Sequence, residues 1–247
     1  MKDRLLCIDR GNTRLKAVLF EGERILARFD LGEGLDALGE LSPAGVSATL
    51  CSVAPSRDAE LLAWLEARKI PTWILRGDSE TPFPVDVRRR HTLGPDRLAG
   101  MAAAWFASRY PALVVDAGTA VTFDLMDGMG RYLGGLIIPG PRLWLDSLAS
   151  GGEMLPEVAL EGELPLPGRE TEEALAAGAA FGLAEACEGL AGRLGDLIEG
   201  PVSVILTGGA APLLAKYWRG KAPEIDPDWT MKGLRELHNW SQKEPRP

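Results

Sequence analysis

The chain begins with two short apolar runs that are separated by a polar turn. Residues 5–9 and 15–20 are largely apolar, and Gly11 and Asn12 lie between them. Two such runs joined by a glycine-containing turn predict a β-hairpin. The next apolar run, at residues 46–53, predicts a third strand.

A change of periodicity follows this strand. Leu61, Leu62 and Leu65 share one face of a predicted helix over residues 56–68, and Asp58 would lie in its first turn. The pattern therefore indicates that strands and helices alternate.

The next segments continue this alternation. Residues 72–76 predict a strand, and residues 77–95, with three prolines, two glycines and an arginine triplet, predict an irregular loop. Apolar side chains then recur at helical spacing and predict an amphipathic helix over residues 96–110.

The pattern of the opening hairpin then returns. Asp9 and Asp116 each end an apolar run, and each is followed two residues later by a glycine and then by a second apolar run. This internal echo predicts two lobes of similar topology, residues 1–111 and 112–247.

The second half supplies further strands and a long helix. Residues 132–140 predict a strand, and residues 171–198 predict a helix rich in small residues that permit close approach of another helix. The apolar run from residue 202 predicts a strand that ends at Thr207, Gly208 and Gly209. Strands mixed with helices throughout predict an α/β fold.

Length and charge narrow the function classes. The 247 residues can bury a large core, and the balance of 27 basic and 35 acidic residues gives a formal net charge of -8. This charge disfavours nucleic acid as a main partner.

Cysteine usage and hydropathy indicate a compartment. Cys7, Cys51 and Cys187 are widely spaced and odd in number, which is typical of buried thiols in a reducing environment. The apolar run before Asp9 is too short for a secretory signal, and no stretch is expected to span a membrane. We therefore expect a cytoplasmic protein.

Three glycine sites directly follow predicted strands, at Gly11, Gly118 and Gly208. Glycine lets backbone N–H groups approach an anion closely, so these sites suit phosphate. One such site alone is more typical of a plain turn, whereas two in matching positions, each beside an aspartate and a threonine, favour a nucleotide held by two lobes.

Other nucleotide and hydrolase signatures are missing from the sequence. It contains no GxxxxGK[ST], no GxGxxG after a strand, no GxSxG and no HExxH. The only histidines, His91 and His238, lie in no cluster of metal-ligand type. An acid such as aspartate would therefore have to serve as a catalytic base.

Five stretches, in this order along the chain, resemble the type III pantothenate kinases of the actin-like, sugar-kinase-like ATPase superfamily. They are DRGNT at 9–13, GPDR at 94–97, DAGTAVTFD at 116–124, GGLIIPG at 134–140 and TGG at 207–209. The segment IDPDWTMKGL near the end also resembles the family's terminal signature.

The resemblance implies a two-lobed actin-like ATPase (ribonuclease H-like) fold, with a mixed sheet and helices in each lobe. It also implies that ATP, with Mg²⁺, phosphorylates the primary hydroxyl of pantothenate in the first step of coenzyme A synthesis. A monovalent cation, K⁺ or NH₄⁺, and a homodimer are implied as well.

The resemblance also assigns roles to individual residues. Asp96 would be the base, Asp116 would bind the monovalent cation, and Thr119 would contact the nucleotide. The residues that would bind ATP phosphates are Asp9, Arg10, Gly11, Asn12, Thr13, Arg14, Leu15 and Lys16. Those that would bind pantothenate are Gly94, Pro95, Asp96, Arg97 and Thr171.

Two positions leave alternatives open. Asp96 also suits a plain helix N-cap. Val87 stands where the family usually has a pantothenate-binding tyrosine, and it is followed by Arg88, Arg89 and Arg90, which form either a solvated loop face or a site for the substrate carboxylate. Two other functions therefore stay open: a kinase of the same fold for another small hydroxy acid, and a non-catalytic nucleotide-binding regulator.

Overall fold

The chain is described by a computed structural model over residues 4–32 and 34–243, and these residues divide into two units. The first unit extends to Arg109 and resumes at Asp228, whereas the second extends from Tyr110 to Pro227. Each unit is built on one five-stranded sheet.

The elements alternate much as the hydrophobic pattern predicts. The strands are β1 (Arg4–Arg10), β2 (Leu15–Glu21), β3 (Arg24–Asp30), β4 (Val46–Ser52), β5 (Thr72–Leu75), β6 (Ala112–Ala117), β7 (Ala120–Met126), β8 (Tyr132–Pro139), β9 (Ser203–Thr207) and β10 (Glu224–Ile225). The helices are α1 (Ala59–Ala67), α2 (Pro95–Phe106), α3 (Pro141–Gly151), α4 (Thr171–Gly195), α5 (Ala211–Tyr217) and α6 (Trp229–Lys243).

The two sheets share one topology. Their strand orders are β3-β2-β1-β4-β5 and β10-β9-β6-β7-β8. In each sheet the first three strands of the unit pair antiparallel, and the last two lie parallel to the first. The predicted α/β fold with two lobes of similar topology is confirmed.

The first unit packs helix α1 on one face of its sheet. Leu61 and Leu65 of α1 join a buried cluster with the strand residues Leu6, Ile8 and Leu50. Because four consecutive residues are buried in each of β1 and β4, these strands are anchored in the core, and they hold the strand ends that carry the candidate site residues.

Helix α6 returns to the first unit, which differs from the predicted division at residue 111. Gly233 of α6 approaches α2 so closely that a Cβ there would collide with the backbone carbonyl of Ala99. The Trp229 indole donates a hydrogen bond of 2.9 Å to the carbonyl of Gly100. The repeated pattern in the sequence covers only the strands of the two sheets. It therefore does not predict that the C-terminal helix packs in the first unit.

Helix α4 lies in the core of the second unit. Leu183, Ala184 and Cys187 of α4 pack against buried residues of its sheet. By length and composition alone α4 is apolar enough to cross a membrane, contrary to the expectation that no segment is. Its buried face accounts for that composition.

Candidate active site

Asp9 lies near the carboxyl end of β1, between two other strands. It is paired in register with Lys16 of β2 and with Cys51 of β4. The loop of residues 11–14 follows it, closed by a hydrogen bond of 2.9 Å from the Gly11 N–H to the carbonyl of Arg14. Asn12, Thr13 and Arg14 expose their side chains in this loop.

The carboxyl group of Asp9 is held by a thiol. Cys51 Sγ donates a hydrogen bond of 3.3 Å to Oδ1 of Asp9. Burial raises the pKa of Asp9, while this hydrogen bond and the charge of Lys16 act in the opposite direction. The carboxylate is therefore poorly solvated and gains from any cation that approaches it.

The pKa of Cys51 is affected by Asp96 as well as by Asp9. Burial raises the pKa of the Cys51 thiol well above its ordinary value, and the charges of Asp9 and Asp96 raise it further. The thiol stays protonated, so it acts as a hydrogen-bond donor and not as a nucleophile.

Arg10 and Leu15 were both predicted to bind ATP, but they point into the protein. Leu15 belongs to the hydrophobic core. Arg10 is buried, and its Nε lies 2.6 Å from Oδ1 of Asp58. Beside this ion pair, Arg57 Nη1 donates a hydrogen bond of 2.6 Å to the carbonyl of Asn12.

Asp96 lies in the first turn of α2, after Gly94 and Pro95. Its Oδ1 accepts a hydrogen bond of 2.8 Å from the backbone N–H of Arg97. A Cβ on Gly94 would collide with this same oxygen, so the glycine leaves the space that the carboxylate fills. Asp96 and Arg97 are both half-buried at the surface of the unit.

The three consecutive arginines of the loop before α2 have different surroundings. Arg90 is half-buried, and its Nη2 donates a hydrogen bond of 2.5 Å to the carbonyl of Ser79. Arg88 and Arg89 are exposed, and Val87 is half-buried. Arg90 therefore stabilises the loop, while its two neighbours face solvent.

The second unit repeats the arrangement around Asp116. This residue is paired in register with Thr122 of β7 and Thr207 of β9. Gly208 has a φ of +90°, and a Cβ on it would collide with Oδ1 of Asp116 and the carbonyl of Ala117. Gly208 thus lets the end of β9 pack directly against the Asp116 carboxylate and the carbonyl of Ala117.

Thr119 and Thr171 are also in the second unit. Thr119 is exposed in the turn between β6 and β7, and Thr171 is exposed at the first residue of α4. Each unit therefore gathers its own part of the predicted set: Asp9, the 11–14 loop, Lys16 and Asp96 in the first, and Asp116 with Thr119 in the second.

A buried acid within β7, Asp124, was not assigned a role from the sequence. The Tyr132 hydroxyl donates a hydrogen bond of 2.5 Å to Oδ1 of Asp124, and the Thr122 hydroxyl lies 3.4 Å from its Oδ2. Cys51, Arg57 and Asp58 were likewise missed. These residues are recognised only from the strand register, which places Cys51 beside Asp9, and from the β4–α1 connection, which carries Arg57 and Asp58. The sequence pattern alone supplies neither.

Comparison with known proteins shows that the sequence of this chain matches one family. Residues 5–193 match the family described as type III pantothenate kinase. Proteins named type III pantothenate kinase from Zymomonas mobilis and Desulfovibrio desulfuricans are similar over nearly their whole length. The first is 34% identical over 98% of this chain and 94% of its own. The second is 37% identical over 96% of this chain and 97% of its own.

A solved structure supports the fold. The activator of 2-hydroxyisocaproyl-CoA dehydratase from Clostridium difficile, solved with bound ADPNP, matches with a TM-score of 0.56 and 17% identity. The match covers 99% of this chain and 98% of that one. The two α/β units accordingly have the actin-like ATPase fold. By its family match and its near full-length relatives, the chain belongs to the type III pantothenate kinases.

Proposed function

We propose that the chain transfers the terminal phosphoryl group of ATP to the primary hydroxyl of pantothenate, the first step of coenzyme A biosynthesis, with Asp96 as the base. Family membership supports the reaction. The observation that carries the role of Asp96 is the space beside Gly94, where a Cβ would displace the carboxylate. Asp96 Oδ1 also accepts the Arg97 N–H, one of the N–H groups that the first turn of α2 leaves without a partner inside the helix, so Asp96 would stabilise the start of α2 as well as serve as the base.

In the proposed reaction Asp96 accepts the hydroxyl proton as the oxygen attacks the γ-phosphorus. A new O–P bond forms, the bond between the γ-phosphorus and the bridging oxygen breaks, and ADP leaves with that electron pair. Phosphoryl transfer depends mainly on positioning and charge neutralisation, so one oriented acid is sufficient at the hydroxyl.

The 11–14 loop and Lys16 would bind the phosphates. The side chains of Asn12, Thr13 and Arg14 are exposed in this loop, and Lys16 lies across the strand pair from Asp9. Thr119 would add a nucleotide contact from the second unit. Arg10 and Leu15 would support this loop without touching phosphate, because their side chains are buried and their carbonyls accept hydrogen bonds from Val53 and Leu31.

The cation assignments fit the oxygen atoms present. Asp116 would bind a monovalent cation, and the carbonyl of Ala117, which lies with Asp116 Oδ1 beside Gly208, is a second oxygen close to that carboxylate. No cluster of three or more Asp, Glu, His or Cys that could hold a metal occurs among residues 4–32 and 34–243. Magnesium would therefore bind together with the ATP phosphates. A magnesium ion held by phosphates needs only one or two protein carboxylates, and Asp9 is suited to be one of them. Both cations would offset the repulsion between carboxylates and phosphates.

Pantothenate binding is assigned to Gly94, Pro95, Arg97 and Thr171. With Val87 in place of the family's tyrosine, the exposed Arg88 and Arg89 are candidates for its carboxylate. A cytoplasmic homodimer completes the proposal. Ile137 of β8 and Leu143 of α3 are 61% and 44% exposed, which suits a dimer surface on the second unit.

The test is an assay of ADP release with pantothenate and a panel of other small hydroxy acids, with and without potassium. We expect turnover with pantothenate that depends on potassium. Turnover only with another hydroxy acid would overturn the substrate, and nucleotide binding without any turnover would favour a regulatory protein. Light scattering tests the dimer.

Asp96→Asn tests the base directly. We expect kcat to fall by roughly 10²- to 10⁴-fold, the range typical of general base catalysis, while ADP binding measured by calorimetry is retained. A variant with near-normal kcat would exclude Asp96 as the base. Loss of the folded state in circular dichroism would instead assign it a structural role.

A further inference from the structure

The β1–β2 loop is fastened to the connection between β4 and α1 at three points. Arg10 Nε lies 2.6 Å from Asp58 Oδ1, with side-chain exposures of only 10% and 8%. Arg57 Nη1 donates a hydrogen bond of 2.6 Å to the carbonyl of Asn12. The Val53 N–H donates one of 3.0 Å to the carbonyl of Arg10.

The positive charge of Arg10 is paired with the carboxylate of Asp58 inside the protein. Its guanidinium is buried against Asp58, so it is not presented to a phosphate at the surface. Asp58 in turn precedes the first residue of α1, but its carboxylate makes no capping hydrogen bond to that helix. Aspartate is favoured at this position as a helix cap, but the Asp58 carboxylate forms the ion pair with Arg10 and makes no capping hydrogen bond.

Burying two charges is costly, and such pairs contribute little net stability compared with apolar side chains. Their better-supported use is to fix one conformation. Here the fixed conformation is that of residues 10–12, the first part of the loop assigned to ATP phosphates.

We propose that Asp58 and Arg57 are positioning residues for ATP binding, which act through Arg10 and through the carbonyl of Asn12. The inference rests on the proposed role of the 11–14 loop. Neither residue touches the nucleotide. Both hold the loop so that its exposed side chains are already placed for the phosphates before ATP arrives. A displacement of about 1 Å at such a site can cost 10²-fold in rate.

The experiment compares Asp58→Asn, Arg57→Gln and the wild type in the full chain. We expect each variant to raise KM for ATP, by about 10- to 100-fold for Asp58→Asn, with KM for pantothenate changed less than about twofold. ADP affinity, measured by calorimetry without pantothenate, should fall in parallel. Asp228→Asn is the matched control, because it removes another ion pair of 2.6 Å with a buried aspartate in the same unit, to Arg28.

A double variant separates the two possible roles of Arg10. If Arg10 only positions the loop, Arg10→Gln should weaken ADP binding, and Arg10→Gln with Asp58→Asn should recover part of it, because no unpaired charge stays buried. If Arg10 binds phosphate directly, Asp58→Asn should preserve or strengthen ADP binding and the double variant should show no recovery. That result would overturn the proposal.

Two further outcomes are also decisive. Equal rises in both KM values, or changes no larger than those of Asp228→Asn, would reduce the ion pair to a structural role. If Asp58→Asn does not fold, the exposed Arg57→Gln carries the test alone. Should the wild type not phosphorylate pantothenate, the proposed function fails, while the ADP titrations still decide the positioning role.

Discussion

Asp9 and Asp116 occupy equivalent places in two sheets of the same topology, yet their surroundings differ. Each lies near the end of the first strand of its unit, and each is paired in register with a residue of the parallel neighbour, Cys51 for Asp9 and Thr207 for Asp116. The first turn has four residues between its strands, whereas the second has only Gly118 and Thr119.

The two turns are stabilised by different means. Side chains hold the first, through the ion pair of Arg10 with Asp58 and the hydrogen bond from Arg57. Close backbone packing holds the second: a Cβ on Gly140 would collide with the carbonyls of Gly118 and Thr119, and one on Gly208 with the carbonyl of Ala117. The same strand-turn-strand pattern is thus sensitive to charge in one unit and to volume in the other.

The largest expected difference comes from adding one methyl group to each turn. Gly208→Ala places a Cβ against backbone at a φ of +90°, and we expect it to lower the free energy of unfolding by about 3 kcal/mol or more. A Cβ on Gly11 would lie 3.4 Å from the carbonyl of Arg14, so Gly11→Ala should cost about 1 kcal/mol or less.

Urea unfolding of both variants measures this difference. Gly178→Ala is a control, because a Cβ there meets nothing within 4 Å. Equal losses at Gly208 and Gly11 would contradict the view that only the second turn is limited by volume.

The sequence could predict the two turns but not what holds them. Alternating apolar runs and glycines at strand ends were sufficient for both hairpins, since they are local in sequence. The ion pair of Arg10 and Asp58 joins residues of two different segments, and Asp58 equally suited the first turn of α1. Only the strand register decides between these roles.

Elements with weaker patterns escaped prediction for physical reasons. Strand β3 alternates half-buried and exposed side chains at the sheet edge, so its polar content resembles a loop. Helix α6 follows a recognised motif, but its return to α2 depends on a close contact at Gly233 that is long-range in sequence. By contrast, α2 was predicted from its periodic apolar face and α4 from its long run of small residues.

A smaller effect should separate two buried thiols of the first sheet. Cys51→Ala and Cys7→Ala remove the same atom from fully buried positions, but only Cys51 is the donor to Asp9. We expect Cys51→Ala to lower the free energy of unfolding by about 1 kcal/mol more than Cys7→Ala, the usual net value of one hydrogen bond.

The conservative variant makes this comparison specific. Cys51→Ser keeps a donor opposite Asp9 and should recover ADP affinity that Cys51→Ala loses. Equal behaviour of the serine and alanine variants would show that the thiol only fills space.

The last expected effect is a pH dependence of stability at Asp9 in the protein without nucleotide or added cations. Burial raises the pKa of Asp9 above its ordinary value of 3.8, so the folded state favours the protonated carboxyl. The stability that this group contributes is present below pH 3.8 and is lost as pH rises through its folded-state pKa. Asn mimics the protonated form at every pH.

Asp9→Asn should therefore match the wild type in stability at low pH and exceed it as pH rises, until the difference levels off above the folded-state pKa of Asp9. Urea unfolding of both proteins from about pH 4 to about pH 8 measures this gap. The same variant should bind ATP with Mg²⁺ more weakly, because the poorly solvated carboxylate is the group that a cation relieves. A gap that is constant with pH would show that Lys16 and Cys51 compensate the burial of Asp9 fully, and a gap of opposite sign would show that they outweigh it. In either case the first turn would hold its acid without strain.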